Sequence, residues 1–358
     1  MQRLHAAKRI YRSTAALLIL FILLLTVNYI QIRQNKADEM EMDSGQLARL
    51  AQSQGFIKWV DFTVPASAME DALKIDLSTH GSENHTDWIF LLSYLGTRYG
   101  GEWKSYKKSD LNALCEKLKN GETPETLTAN MKYYDYYHQA YEAVLGGFVG
   151  TWQRELPDRE TGIPQKTEVY GLKVFSPIAE GYGYSHYDDF GVSRSYGYRR
   201  RHLGNDLLGE TGTPIIAVES GIVEQAGWNQ YGGWRIGIRS FDGKRYYYYA
   251  HLRKDHPFCG ELKPGDLVRG GDVIGYLGMT GYSATENVNG MSVPHLHFGM
   301  QLIFDESQRE GNGEIWIDVY QIVKFLARNR ATVYRDPETK EFVRKYQVFD
   351  EHFAGYSD

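Results

Sequence analysis

Five side chains that can bind a metal or move a proton occur in three short stretches of the chain. His202 and Asp206 are four residues apart, His251 follows further on, and His295 and His297 are separated by one leucine. Catalytic zinc takes three protein ligands, drawn mostly from His, Asp and Glu, and keeps a fourth position open for water. His202, Asp206 and one of the two paired histidines supply such a ligand set.

The residues around these side chains indicate the strands and turns that would bring them together. His295 and His297 lie in an apolar, glycine-bounded run that is typical of a strand, so both side chains project from one face. One can then bind metal while the other contacts substrate. Gly204 favours a turn or a strand end over a helix between His202 and Asp206. Each residue alone is equally well explained as a hydrogen-bonded structural residue, so the joint pattern carries the interpretation.

Other short motifs accompany the histidines in a fixed order along the chain. They are His-Leu-Gly-Asn-Asp at 202–206, Gly-Thr-Pro-Ile-Ile at 212–216, Tyr-Ala-His-Leu at 249–252, Gly-Asp-Leu-Val at 265–268, Thr-Gly at 280–281 and His-Leu-His-Phe at 295–298. Their order and most of their spacings resemble the lysostaphin and LytM-type zinc endopeptidases, a family of peptidoglycan peptidases. The resemblance covers roughly residues 175–304. The stretch 282–293 is longer than the short turn that usually precedes His-Leu-His in this family.

The resemblance assigns a role to each of the five side chains. The implied ligands of one zinc ion are His202, Asp206 and His297. The resemblance implies that the other two histidines assist catalysis, with His295 as the candidate general base. In the same assignment, His251 orients water or stabilises the tetrahedral intermediate. Tyr196 is a weaker oxyanion candidate.

The resemblance also implies a substrate in peptidoglycan, namely a peptide cross-link or a stem peptide rather than the sugar strand. All five positions are filled, which favours an active enzyme. A second interpretation is a catalytically silent, membrane-anchored scaffold that uses the peptidase fold to bind cell wall or protein. A third is a glycan lyase or hydrolase centred on a helical segment, whose available acids are Glu70, Glu83, Glu102 and Glu142.

The composition bounds the class of protein. With 358 residues, 42% of them hydrophobic, the chain has room for about two packed domains. A formal net charge of -5 gives no support for nucleic-acid binding through a basic surface. The two cysteines, Cys115 and Cys259, are too few for a disulfide framework or a structural zinc cluster, and they are either free or paired with each other.

The N-terminal residues predict a membrane anchor. Residues 1–12 form a basic tail, and residues 13–32 form an apolar run long enough to span a bilayer as a helix. We expect the tail in the cytoplasm and the C-terminal domain outside a bacterial cell membrane. No small-x-small cleavage site follows the apolar run, which favours an uncleaved single-pass anchor over a signal peptide. Residues 33–64 are polar and indicate a linker or stalk.

Residues 65–155 predict a small helical domain that acts as a spacer or binds cell wall. An apolar face at 88–95 ends at a pair of glycines. We expect a second helix capped by Ser109 and a third, longer helix over 124–144.

Residues 156–358 predict the peptidase domain with a C-terminal helical extension. Short β-branched and aromatic runs divided by glycine indicate antiparallel strands, and Asp242-Gly243 predicts a hairpin turn. Apolar residues at helical spacing over 319–326 predict a helix packed on the sheet. The predicted fold class is α+β, an antiparallel β-sheet peptidase domain with an open zinc groove, preceded by the helical domain and the N-terminal transmembrane helix.

Overall fold

Helices occupy the first part of the described chain, and strands occupy most of the rest. The computed structural model describes residues 56–158, 160–196 and 198–353. The predicted cytoplasmic tail, the predicted transmembrane helix and the first part of the stalk lie outside these ranges. Within the described ranges, no helix is long and apolar enough to cross a bilayer.

The elements of the described chain are numbered here in chain order. The α-helices are α1 (Ala66–Thr79), α2 (Trp88–Tyr99), α3 (Lys108–Lys119), α4 (Pro124–Thr128), α5 (Tyr134–Leu145) and α6 (Tyr320–Leu326). The strands are β1 (Val149–Pro157), β2 (Pro164–Leu172), β3 (Ser185–His186), β4 (Ser193–Tyr196), β5 (Tyr198–Arg201), β6 (Asn205–Leu208), β7 (Pro214–Ile216), β8 (Gly221–Asn229), β9 (Gly233–Ser240), β10 (Arg245–Ala250), β11 (Leu267–Val268), β12 (Val273–Tyr276), β13 (His295–Leu302), β14 (Ile315–Ile317), β15 (Val333–Arg335), β16 (Phe342–Arg344) and β17 (Val348–Phe349).

The first two predicted helices are present, but one predicted cap is wrong. α2 begins where the Asp87 carboxylate accepts a hydrogen bond from Phe90 N (2.8 Å), and it ends at Gly100, whose φ of 61° favours glycine. Ser109 does not cap α3, because the helix begins at Lys108 and the residue at the N-cap, Lys107, makes no side-chain cap bond.

The predicted third helix is two helices, α4 and α5. Met131 N donates to Thr128 O (2.8 Å), which makes a tight turn in place of the helical bond to the residue four positions back. The apolar residues Leu127, Met131 and Tyr134 keep a helical spacing across this turn, and the sequence pattern therefore indicates one helix. The break lets α5 pack against α2.

An antiparallel sheet positions the residues singled out in the sequence, in the strand order β11-β8-β9-β10-β13-β6-β3, with β14 beside β13. β13 lies between β10 and β6, so His297 pairs with Ala250 on one side and with Asp206 on the other. The predicted antiparallel, β-rich architecture is thereby confirmed. The predicted turn at Asp242-Gly243 joins β9 to β10, with Gly243 at φ 75°.

Alternation along β10 and β13 separates a core face from a groove face. Tyr247 and Tyr249 of β10 are buried against Phe298 of β13, with ring centroids 6.3 and 5.3 Å apart. The residues between them in each strand project from the opposite face. His295 and His297 therefore lie on one face, and both approach the same carboxylate.

A buried guanidinium connects the helical segment to this sheet. Arg245 binds the carboxylates of Glu219 and Asp242, each at 2.8 Å, and its Nη1 donates to Ala143 O in α5 (2.9 Å). Tyr247 OH donates to the same Glu219 carboxylate (2.6 Å). The predicted domain boundary between residues 155 and 156 falls within β1, which pairs with β2 and β17. Hydrogen bonds and strand pairing thus run from the helical segment into the strands that follow it.

The predicted C-terminal helix is present as α6, but it packs on helices as well. Phe325 of α6 stacks on Trp88 of α2 with ring centroids 5.8 Å apart. Gln321 Oε1 accepts a hydrogen bond from Ala66 N at the start of α1 (3.1 Å). These contacts add to the expected packing on the sheet, because the aromatic start of α2 offers α6 a second apolar surface.

The two cysteines lie in different elements of the described chain. Cys115 is in α3 and Cys259 follows β10, and both are free thiols. Of the two alternatives that the sequence leaves open, the structure has the unpaired one.

Arg245→Met is expected to lower the free energy of unfolding by about 3–5 kcal/mol, because it leaves the Glu219 carboxylate partly buried without its cation. Urea unfolding followed by tryptophan fluorescence measures the change. The control is Arg309→Met, which removes an exposed arginine paired with Glu224 (3.2 Å) and should cost less than about 1 kcal/mol. Equal losses in the two variants would contradict the role given to Arg245.

Candidate metal centre

Ligand atoms of His202, Asp206 and His297 converge beside the paired strands β6 and β13. His202 Nε2 lies 3.0 Å from Asp206 Oδ1 and 2.7 Å from His297 Nδ1, and His297 Nδ1 lies 3.4 Å from Asp206 Oδ1. Strand pairing places Asp206 opposite His297. Gly204 allows the close approach of the preceding turn, since a Cβ there would lie 2.5 Å from Phe298 O and 2.8 Å from His297 Nε2.

The three side chains fit a zinc ion. Asp206 Oδ1 is buried and accepts no well-aligned hydrogen bond, so this acceptor is unsatisfied by the protein alone. Zinc bonds of about 2.0–2.1 Å in tetrahedral geometry separate ligand atoms by about 3.3 Å, close to the separations found here. In the described part of the chain, these three residues form the group of His, Cys, Asp and Glu side chains whose ligand atoms lie close enough together to bind one metal ion. Two imidazoles and one carboxylate leave a fourth position for water.

Asp189 and Arg194 hold these ligands in orientation. His202 Nδ1 donates to Asp189 O (3.0 Å), which directs His202 Nε2 toward the site. Arg194 Nη2 donates to Asp206 Oδ2 (3.0 Å) and to Asp189 Oδ2 (2.6 Å). The sequence analysis missed both residues. Arg194 lies in β4 and Asp189 in the segment that precedes β4, and no spacing relative to the histidines predicts their contact with the ligands.

The environment of the site favours the protonation states in which Asp206 and His297 bind metal, namely the ionised carboxylate and the neutral imidazole. Burial opposes a charge on Asp206, but close contacts and charge interactions with His202 and His297 outweigh burial and lower the pKa of Asp206. Burial lowers the pKa of His297 and keeps its imidazole neutral. Burial also opposes a charge on His202, but close contacts with the carboxylates of Asp189 and Asp206 raise the pKa of His202 to about 9. The metal-free protein therefore carries a proton on His202 at neutral pH.

Zinc binding is expected to release about one proton at about pH 7.5, because His202 must lose its proton to bind metal. The apparent affinity should rise about tenfold per pH unit up to the His202 pKa of about 9 and level off above it. Calorimetric titration in buffers of different ionisation enthalpy measures the released proton. Asp189→Asn should move the levelling point to lower pH, because it weakens a partner that raises the pKa of His202. Zinc binding without proton release would contradict this protonation state.

His295 and His251 lie beside the three ligands. His295 Nδ1 donates to Val293 O (2.8 Å), and His295 Nε2 lies 3.8 Å from Asp206 Oδ1. His251 Nδ1 donates to Thr280 O (2.8 Å), and the rings of His251 and His295 are 4.7 Å apart. Because a carbonyl oxygen can only accept, Nδ1 carries the hydrogen in both rings, and Nε2 of the neutral ring is the acceptor.

The backbone at His251 is in the left-handed region, with φ 62°. Such a conformation is uncommon for a residue other than glycine, and residues held in it cluster at functional sites. Burial and the neighbouring His295 and His297 lower the pKa of His251 well below its ordinary value. The structure thus brings together all five side chains that the sequence singled out. Tyr196 lies in β4, but its side chain is outside the described part of the chain.

Residues 200–309, which contain all five side chains, match the model of peptidase family M23. This chain contains an M23 peptidase domain. Peptidases of this family are zinc-dependent, in agreement with the His-Asp-His group of the M23 domain.

Relatives of the M23 domain are named endopeptidases. The L-Ala–D-Glu endopeptidase of Bacillus subtilis is 42% identical over 168 residues, which are 42% of this chain and 48% of that protein. The lysostaphin of Staphylococcus simulans is 34% identical over 139 residues, 38% of this chain and 24% of that protein. The chain thus spans half or less of the length of these two relatives. A LytM crystal structure from Ruminococcus gnavus aligns with a TM-score of 0.51 and 23% identity over 81% of this chain and 97% of its own, which shows a shared fold.

The M23 domain presents its histidines in a groove of about 350 Å³. The Tyr248 ring in this groove lies 5.7 Å from the His297 ring and 6.2 Å from the Trp316 ring. Aromatic side chains of this kind offer a peptide both apolar contact and hydrogen-bonding groups. The groove is open to solvent beside the three candidate ligands.

The long stretch 282–293 forms part of the rim of this groove. Asn287 Oδ1 accepts hydrogen bonds from Trp234 Nε1 and from Asp255 N, each 2.9 Å long. Tyr282 and Met291 of the same stretch line the groove. The long stretch noted in the sequence is therefore a loop that hydrogen bonds anchor to the rim.

Proposed function

We propose that this chain is a zinc endopeptidase, anchored in a bacterial membrane, that hydrolyses peptide bonds of peptidoglycan. The observation that carries the proposal is the convergence of ligand atoms of His202, Asp206 and His297, among them a buried Asp206 oxygen that accepts no well-aligned hydrogen bond from the protein. Leaving a buried acceptor unsatisfied costs about 1–3 kcal/mol, which a bound cation offsets. A scaffold that only binds cell wall has no use for this arrangement or for the two histidines beside it.

The bond that we propose lies in the stem peptide, between L-alanine and D-glutamate. The support is the 42% identity with the relative named L-Ala–D-Glu endopeptidase. A glycine–glycine cross-link is the substrate class to compare, because a relative that is 38% identical over 120 residues is named glycyl-glycine endopeptidase.

In the proposed reaction, the protein residues orient water and move its proton. Zinc held by the three ligands supplies a Lewis acid for the scissile carbonyl and lowers the pKa of water. His295 Nε2, on the same strand face as His297, accepts the proton of the attacking water. His251 is neutral and carries its hydrogen on Nδ1, so its Nε2 accepts a hydrogen bond and orients that water. Of the two roles that the resemblance leaves open for His251, this tautomer supports the water-orienting one, because an oxyanion needs a donor.

Mass spectrometry of digested peptidoglycan tests the proposed function. The detergent-solubilised full chain, loaded with zinc, is incubated with one wall type that contains glycine bridges and one that has direct cross-links. We expect new amino termini at D-glutamate in both. Binding to the wall without any new amino terminus would favour the scaffold, and cleaved sugar strands would favour a glycan-cleaving enzyme. The third interpretation has less support, since Glu70 is held in an ion pair with Arg328 (2.6 Å).

The membrane anchor is part of this proposal, and the sequence of residues 1–32 supports it. A basic tail before an apolar run favours an orientation with the rest of the chain outside the cell. Protease added to intact protoplasts should remove the M23 domain while a cytoplasmic marker stays intact. Protection of the M23 domain in protoplasts, with digestion after lysis, would reject this orientation.

A further inference from the structure

Arg200 lies between two aromatic rings in the wall of the groove. Its guanidinium carbon is 4.9 Å from the ring centroid of Tyr231 and 5.0 Å from that of Tyr282. Arg200 Nη1 is buried and donates no hydrogen bond to the protein. The rings hold the guanidinium through cation–π contacts that leave its in-plane N–H donors available.

Three other arginines that line the groove, Arg194, Arg239 and Arg309, have carboxylate partners. Arg194 binds Asp206 and Asp189, as described above. Arg239 Nε lies 3.2 Å from Glu224 Oε1, and Arg309 Nη2 lies 3.2 Å from the other oxygen of that carboxylate. Arg200 differs from these three in being held between two aromatic rings rather than by a carboxylate. A cation in this state is suited to an anionic group that arrives with a ligand.

One of the rings that hold Arg200, and the backbone beside the other, lie next to His251. The Tyr282 ring lies 6.0 Å from the His251 ring. The residue after Tyr231 is Gly232, whose carbonyl accepts a hydrogen bond from His251 N (2.7 Å). An anion bound by Arg200 therefore lies on the side of the groove where His251 approaches the metal ligands.

We propose that Arg200 binds a carboxylate on the substrate residue next to the scissile bond, and that it makes the enzyme selective for the acid over the amide form of that residue. The inference rests on the proposed function and specifies its substrate. When a glutamate is linked to the next residue through its side-chain carboxyl, its α-carboxylate remains free. This carboxylate is bonded to the same Cα that carries the scissile nitrogen. The planar guanidinium can bind this group with two parallel hydrogen bonds.

Two synthetic stem peptides test the proposal, one with the free α-carboxylate at glutamate and one with the α-carboxamide. The full zinc-loaded chain should cleave the acid with a kcat/KM about 10- to 100-fold higher than that of the amide, the range for a hydrogen bond to a charged group. Arg200→Gln should reduce this ratio to below about 3, mostly through loss on the acid peptide. The matched control is Arg199→Gln, an exposed position on the same strand that does not line the groove, and it should keep the wild-type ratio.

A second pair of variants tests the aromatic cradle. Tyr282→Phe keeps the ring and should keep the acid-to-amide ratio, whereas Tyr282→Leu removes the cation–π contact and should reduce the ratio. A merely structural role for Tyr282 would lower the rates on both peptides equally and leave the ratio unchanged.

The affinities of N-methylated, uncleavable versions of the two peptides are measured by calorimetry. Their ratio tests the role of Arg200 without requiring turnover. If wild type cleaves the acid and the amide with equal kcat/KM, the proposed function stands and the role of Arg200 is rejected. If wild type cleaves neither peptide, the proposed bond is wrong, and the binding ratio still decides the role of Arg200. A ratio that Arg200→Gln leaves unchanged in both assays overturns the inference.

Discussion

Asp206→Ala is expected to lose stoichiometric zinc and at least about 1,000-fold of the hydrolytic rate, because the ion supplies both the activated water and the polarisation of the carbonyl. The carboxylate is the anionic member of the ligand set, and its removal leaves two imidazoles where catalytic zinc takes three protein ligands. Metal analysis after gel filtration and peptide hydrolysis measure the two losses.

Two features of the Asp206→Ala experiment keep its result interpretable. Glu338→Ala removes a carboxylate from the exposed turn between β15 and β16 and should keep both zinc and rate. Removal of Asp206 also leaves Arg194 with Asp189 as its remaining carboxylate partner, so circular dichroism should confirm that the variant is folded. Full zinc occupancy in a folded Asp206→Ala variant would reject the ligand assignment.

His295→Ala and His251→Asn are expected to retain zinc and fold, yet to lose at least about 100-fold in rate each, the usual size of a general acid–base or water-orienting contribution. Asparagine is the sharper replacement at residue 251, because it tolerates the left-handed backbone found there and removes only the imidazole. Initial rates on the acid stem peptide, at matched zinc occupancy, measure the loss.

The control for the two histidines is His256→Ala, which removes a histidine paired with Glu341 (2.7 Å) outside the groove and should keep the wild-type rate. If His295→Ala cleaves as fast as wild type, the enzyme assignment survives and the base must be another group. Loss of zinc from either variant would instead show that the histidine helps to bind the metal.

The part of the site that follows from strand periodicity could be predicted from the sequence. His295 and His297 share a face because the period of a strand is two, and the order of motifs led to His202, Asp206 and His251. The contacts of Asp189 and Arg194 could not be predicted in this way. They depend on how β4 and the segment before it fold over the ligands, which no local pattern records.

The same limit applies to the fold and to the groove. The strand and hairpin signals indicated an antiparallel sheet, but the apolar spacing across Met131 concealed a break between two helices. The aromatic pair around Arg200 comes from Tyr231 and Tyr282, which are far apart in sequence. Tyrosine is so common in this chain, with 27 residues, that neither position stood out.

The contacts of Arg245 with Glu219, Asp242 and Ala143 affect which part of this chain can be transferred to another protein without loss of stability. A peptidase module excised at residue 156 would leave the Arg245 Nη1 donor without Ala143 O, its acceptor in α5. The buried guanidinium would then lack one of its partners in the isolated fragment. Fusion proteins that contain this peptidase domain would therefore be most stable when they also contain α5. The segment that can be exchanged between genes is thus longer than the part that encodes the catalytic sheet.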